Sequence, residues 1–302
     1  MHSMNLHKRF IDLSKPMELV STGTRPKLKV LENIHLISYD FYGTLFISGV
    51  GDIGVDDGLY DIGILKHVLE SSGITIMNED AADKAFHIYN EVVGEYIKKA
   101  NTAGIEYPEP DIRSIWQSVL SILRKNKLVR FRESSKLYES VSVEFEARMN
   151  PVWPVPGIVD TLVYFKLSGM KQGIISNSQF YTPIVLEALT GYSLQDLGFS
   201  EELLHWSYEE KMKKPALQFY KNYIDKARNA YPDIKPENML YIGNDMLKDI
   251  YPAHTLGMKT ALFAGDKRSL KWRRNDERCK NLEPDLILTN ALQLKECVAM
   301  NG

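Results

Sequence analysis

The sequence predicts an α/β fold, a doubly wound parallel sheet with a mainly helical block inserted near its start. Three observations predict it. Residues 150–302 alternate between short apolar runs and segments of helical spacing. Several of those runs end on small polar or acidic residues, and in open parallel sheets ligands bind outside the carboxyl ends of the strands. Residues 49–149 read as mostly helical, with apolar residues recurring along single helical faces.

The composition bounds the class. The chain has 302 residues, 25% charged and 44% hydrophobic, which suits an ordinary globular protein of one large or two modest domains. A net charge of −2 gives no reason to expect nucleic acid or an anionic membrane as partner. No run approaches the ~18 apolar residues of a membrane span, and Met1 to Phe10 lack the continuous apolar run of a secretory leader. Cys279 and Cys297 are the only cysteines, a usage that fits a reducing cytoplasm. There is no internal repeat and no low-complexity tract. The oligomeric state is not legible.

Taken in order, residues 1–33 form a polar extension broken at Pro16, Gly23 and Pro26. Phe10, Ile11 and Leu13 are its candidates for docking on the core. Residues 34–48 carry the first core strand, His35 to Tyr39, which ends on Asp40 and turns at Gly43. The glycines between Ser48 and Gly54 read as a hinge. Helices are expected near 58–72, 79–101, 110–126 and 134–149. In the second, Ala85, Ile88, Tyr89, Val92, Val93, Tyr96 and Ile97 share a face, Asn78 is the expected N-cap, and Ala103-Gly104 the stop. In the third, Ile112, Ile115, Trp116, Val119, Ile122 and Leu123 form a stripe; both stripes are packing faces. Beyond residue 150, strands are expected near 171–176, 203–206, 239–243, 259–264 and 286–289, and helices near 158–169, 181–190, 215–230 and 247–256.

Four segments stand out at strand ends or helix starts. Asp40-Phe41-Tyr42-Gly43-Thr44 follows the first strand; an acid there is costly to bury unless it is paired or used. Ser176-Asn177 follows a second strand. Lys214 precedes Pro215, a residue suited to a helix start. Gly243-Asn244-Asp245 ends a third strand, with Asp249 four residues on. Each has a plain structural reading alone: a turn, a junction, a solvated lysine, a helix cap.

In this chain order they resemble the four motifs of the haloacid dehalogenase-like hydrolase superfamily. The resemblance covers roughly residues 34–48 and 150–295, and includes Ser207-Tyr208-Glu209 ahead of Lys214 and the connectors Pro154 to Gly157 and Ala253 to Met258. It implies a Rossmann-like core, 34–48 with 150–302, and a helical cap domain over 49–149. It makes Asp40 the nucleophile that forms a covalent aspartyl intermediate. Lys214 then supplies a point charge, and Thr44, Ser176 and Asn177 supply neutral donors. For Mg²⁺, a hard ion that takes oxygen ligands, Asp40, the Tyr42 carbonyl, Asn244, Asp245 and Asp249 are the candidates. Asp245 or Asp249 could equally hold Lys214 or cap a helix. The substrate implied is a small anionic molecule.

Tyr42 departs from the superfamily's phosphatases, which carry a second aspartate there. A phenol of pKa ~10 is a poor base at neutral pH. Tyrosine at that position is similar to the haloacid dehalogenases proper, whose halide leaving group needs no proton. Their early cap arginine has no counterpart before Arg113, although Arg113, Arg124, Arg130 and Arg132 lie in the helical block. The acids of the fourth motif favour a Mg²⁺-assisted phosphoester hydrolase; a 2-haloacid dehalogenase and a non-catalytic binding protein are the other readings. The basic stretch from Lys267 to Arg274 reads as solvated surface.

Overall fold

A computed structural model describes residues 5–50 and 62–299; Gly51 to Gly54 of the glycine-rich loop lie outside them. In chain order the elements are α1 (Leu6–Leu13), β1 (Leu36–Tyr39), β2 (Phe46–Ser48), α2 (Ile62–Ser71), β3 (Thr75–Ile76), α3 (Ala81–Thr102), α4 (Ile112–Lys125), β4 (Val129–Arg130), α5 (Ser135–Met149) and β5 (Val152–Pro154). There follow α6 (Ile158–Leu167), β6 (Lys171–Ser176), α7 (Thr182–Thr190), β7 (Phe199–Trp206), α8 (Ser207–Glu210), α9 (Leu217–Ala230), β8 (Met239–Gly243), α10 (Tyr251–Thr255), β9 (Lys259–Phe263), β10 (Leu286–Leu288) and α11 (Leu294–Cys297). The main sheet has six parallel strands in the order β10-β9-β8-β1-β6-β7.

β1 is central. It is covered on both faces, which is why Leu36-Ile37-Ser38-Tyr39 is entirely buried and does not alternate with exposed residues. Tyr39 pairs in register with Ile174 of β6 and Ile242 of β8. That register brings Asp40, Ser176 and Gly243 out at one edge of the sheet. The helical block α2–α5 lies between β2 and β5, which pair antiparallel from Phe46↔Pro154 to Ser48↔Val152.

The polar extension docks on the core through Phe10 and Leu13, as expected, while Ile11, the third expected residue, is 55% exposed. Asn5 caps α1 by accepting from the Lys8 amide. Phe10 is wholly buried, its ring 6.2 Å from Tyr181. Arg9 pairs with Glu144 of α5, a buried carboxylate that Arg148 also holds at 3.1 Å. Beyond α1, Lys27 bridges antiparallel to Ile287 and Leu31 bridges to Val298, so this segment lies along the outer side of β10, an edge strand whose unpaired backbone groups would otherwise be exposed. Phe10→Ala should therefore lower unfolding stability by about 3–5 kcal/mol, while Ile11→Ala, at a position 55% exposed, should change it by under about 0.5 kcal/mol. Urea denaturation checks this; equal losses would mean that α1 is not docked through Phe10.

Several expectations are corrected. Asn78 is not the cap of α3: the helix begins at Ala81, Asp80 precedes it, and the Asn78 side chain instead accepts from the Asp80 amide in the preceding turn. Ile122 is 38% exposed and Leu120 takes the buried place on α4, because the stripe turns with the helix. The strand expected near 203–206 starts at Phe199. The helix expected over 247–256 splits into a wide π-type turn, 246–250, and α10. Pro252 has no N–H to return to the Lys248 carbonyl, which accepts from the Tyr220 hydroxyl at 2.9 Å. The basic stretch is more than solvated surface, since Arg268 is paired with buried Asp266 and Arg273 with Asp245.

Candidate active site

Asp40 leaves the end of β1 with its amide bonded to the Ile242 carbonyl at 2.8 Å. Gly43, at φ 86°, turns the chain away; a Cβ there would come within 2.8 Å of the Asn244 side chain, so the loop and the fourth motif can approach only with glycine. The Asp40 carboxylate is buried, and its Oδ1 accepts from Ser176 Oγ at 2.9 Å and from Lys214 Nζ at 2.8 Å. Among the described residues, Oδ2 has no hydrogen-bond partner in the protein.

Lys214 has three donors, and each meets an acceptor: Asp40 Oδ1, Asp249 Oδ1 at 2.6 Å and the Tyr241 hydroxyl at 3.1 Å. Burial works against its charge, but Asp249 and Asp40 more than offset this and the net shift is upward. Its backbone is pinned by Asn177, whose Oδ1 accepts from the Lys214 amide at 2.8 Å and whose Nδ2 donates to the Lys214 carbonyl. Asn177 thus positions the lysine. Asp249 is fully committed: its Oδ2 accepts from the amides of Asn244 and Asp245, at 3.0 and 2.9 Å. Gly243 makes that fit possible, since a Cβ there would lie 2.3 Å from Asp249 Cγ.

The remaining expected residues separate by environment. Asn244 donates to the Ser269 carbonyl at 2.7 Å and accepts from Thr44 Oγ1 at 3.3 Å. Asp245 caps the 246–250 turn and is held by Arg273, with Nη2 2.7 Å from Oδ2. Tyr42 is buried, with its hydroxyl 3.2 Å from Thr182 Oγ1. Burial first, then the negative charge of Glu146, raise that hydroxyl well above its ordinary pKa, against the Thr182 hydrogen bond. Of the arginines in the helical block, Arg113 stands over the Phe180 ring at 4.7 Å and is tied to Asp111.

Among the described residues, no three His, Cys, Asp or Glu side chains form a ready cluster for a metal ion. The donors expected from the sequence are nevertheless oxygen groups, the kind a hard cation takes. Asp249 and Asn244 are taken up by protein partners. Asp40 has an open oxygen, Oδ2. Both Asp245 oxygens are engaged, by Arg273 and by the Leu247 and Lys248 amides.

Residues the sequence did not single out also shape the site. Tyr241, which touches Lys214, lay hidden in an apolar strand. Arg273 lay in a stretch read as surface. Glu146, on α5, is held by Tyr181 at 2.8 Å and Asn150 at 3.1 Å, and its burial raises its pKa against both hydrogen bonds. No periodicity distinguishes such residues from packing.

A family model described as haloacid dehalogenase-like hydrolase matches residues 62–263, more than half of the chain. Glyceraldehyde 3-phosphate phosphatase of Pyrococcus furiosus is 34% identical over 110 residues, 36% of this chain and 41% of that protein. The match thus spans under half of that relative's length. Among solved structures, 2-haloacid dehalogenase from Pseudomonas syringae pv. Tomato DC3000 superposes with a TM-score of 0.53 at 16% identity, covering 87% of this chain and 97% of its own. A HAD phosphatase from Thermococcus onnurineus gives a TM-score of 0.48 at 15% identity, covering 87% and 96%. At 16% identity the likeness to the Pseudomonas syringae dehalogenase speaks for the fold alone.

Proposed function

We propose that this chain, which belongs to the haloacid dehalogenase-like hydrolases, cleaves a small-molecule phosphoester by nucleophilic attack of Asp40. The observation that carries the nucleophile is the state of its carboxylate: Oδ1 is anchored by Ser176 and Lys214 while Oδ2 has no protein partner among the described residues. In the proposed reaction an Asp40 oxygen bonds to phosphorus and the ester P–O bond breaks, its electron pair leaving with the alcohol oxygen. Water then opens the aspartyl phosphate. Lys214 steadies Asp40 and the negative charge gathering on the phosphoryl oxygens. Mg²⁺, held by Asp40 and the Tyr42 carbonyl, would add neutralising charge there. Asn177 and Asp249 act through Lys214, and Thr44 through Asn244. The elements α2–α5 serve as the cap, with its limits at 49–149. The local likeness to the Pyrococcus furiosus phosphatase supports phosphate as the reacting group.

Tyr42 favours a second reading, 2-haloacid dehalogenation, because a buried phenol of raised pKa gives a leaving alkoxide no ready proton. The two separate on a panel of p-nitrophenyl phosphate, alkyl phosphates and 2-chloropropionate. Phosphate release, faster from the aryl ester whose leaving group needs no proton, is expected; chloride release without phosphate release would replace the phosphatase reading. On the same panel Tyr42→Phe should alter the aryl rate by less than about tenfold, and Tyr42→Asp should raise the alkyl rate toward the ~10²-fold that acid–base catalysis typically supplies. A large loss in the Phe variant with an intact fold would return the Tyr42 hydroxyl to the chemistry.

A further inference from the structure

We infer that Glu109 and Gln179 are positioning residues for the proposed reaction: through them, the segment between α3 and α4 completes the footing of Lys214. The inference rests on the reading that Lys214 serves the chemistry at Asp40. Pro108 and Pro110 keep that segment out of a helix. Residues 107–109 lie antiparallel beside 211–213, with Pro108 bridged to Met212. Two backbone hydrogen bonds join them, Lys213 N–H to the Tyr107 carbonyl at 2.8 Å and Glu109 N–H to the Lys211 carbonyl at 3.1 Å. Tyr107 and Lys211, one on each side of the pairing, have left-handed backbones, φ 52° and 57°, uncommon for side chains of their size. Just ahead of Lys214, the chain therefore finds backbone partners in the helical block rather than in the core.

Glu109 ties together the two stretches that meet at the Asn177–Lys214 contact. One of its carboxylate oxygens pairs with Lys213 Nζ at 2.9 Å, and the other accepts from Gln179 Nε2 at 2.9 Å. Lys213 adjoins Lys214, and Gln179 lies two residues beyond Asn177. Gln179 is buried and commits its whole amide to the same segment. Its Nε2 also donates to the Pro110 carbonyl at 2.9 Å, and its Oε1 accepts from the Ile112 amide at 3.0 Å. Arg113 extends the contact over the rings of Phe180, at 4.7 Å, and Tyr208, at 5.7 Å. A shift of this segment would move the backbone on both sides of the Lys214 anchor. Misplacing a reacting group by about 1 Å can cost roughly 10²-fold in rate.

Kinetics of the full chain on p-nitrophenyl phosphate with MgCl₂ test this, and hydrogen exchange of the same proteins is a readout that needs no activity. Glu109→Gln removes the charge facing Lys213, and Gln179→Ala removes the hydrogen bonds to Glu109, Pro110 and Ile112. Each should lower kcat by about tenfold or more, assayed well below its melting temperature. In a Lys214→Met background the same substitutions should change the rate by less than about twofold, because their effect passes through the lysine. An unchanged kcat, or the full loss persisting in that background, overturns the inference. Gln179→Ala should also speed amide exchange in the peptide spanning residues 211–216, as well as at Ile112. Faster exchange confined to residues 107–113 overturns the inference. A wild type that releases no phosphate sinks the proposed function alone, and the exchange result then decides whether this segment places Lys214. If Gln179→Ala does not fold, Lys213→Met takes its place, at a side chain 37% exposed. It should show the same loss and the same exchange, and wild-type values there overturn the inference.

Discussion

Asp40→Asn should abolish hydrolysis, by roughly four orders of magnitude or more, as removal of a nucleophile does in other enzymes. The substitution preserves size and leaves an amide oxygen to accept from Ser176, which now reaches Oδ1 at 2.9 Å. It removes one of the two carboxylates that neutralise Lys214, but Asp249 still faces the ammonium at 2.6 Å. The fold should therefore survive, and a thermal melt near that of wild type is part of the expected result. Two measurements check the mechanism: the turnover number on an aryl phosphate, and trapping of an acid-stable phosphoryl adduct on the peptide that contains residue 40. Turnover close to wild type in a folded Asn variant would remove Asp40 as nucleophile and, with it, the covalent route.

Lys214→Met should cost both activity and stability. The lysine's three acceptors, Asp40, Asp249 and Tyr241, are all buried. Methionine fills much of the same space with no donor. Two carboxylates that shared one ammonium then face each other uncompensated, and breaking a buried pair in this way typically costs about 3–5 kcal/mol. The rate should fall by roughly 10²–10³-fold, the range seen when one preorganised charge-stabilising donor is lost. Assays well below the variant's melting temperature separate the two effects. Lys211→Met, three positions earlier and outside this ion-pair network, should leave both nearly unchanged. Equal losses from the two substitutions would reduce Lys214 to a structural lysine among others.

Much of this site was legible because its residues lie where chemistry and topology coincide. A buried strand that stops on an acid, a lysine ahead of a proline, and a glycine followed by an amide and two acids are local signals. The parallel register then brings Asp40, Ser176 and Gly243 to one edge. The helical block was legible for a different reason: repeated apolar faces such as Ala85, Tyr89 and Val93 can be read without knowing what they pack against. Polar residues with two available roles were not. Asn177 offers the same amide to a substrate or to a backbone, and its distances to the Lys214 amide and carbonyl show the latter. Asp245 and Asp249 share one motif, yet one lies under Arg273 and the other under Lys214.

The sequence by itself determined the α/β class, the inserted helical block, the approximate places of the later strands, and the family resemblance of the four motifs. Those features depend on periodicity and spacing within short windows. Only the tertiary structure decided that Phe10 docks against Tyr181, that residues near Lys27 cover the edge of β10, and that Arg273 sits on Asp245. Each of these joins residues far apart in the chain, or gives a polar group one partner among several chemically equal ones. The choice is made by which groups remain buried together when the sheet and its helices close, and a linear pattern does not encode that proximity.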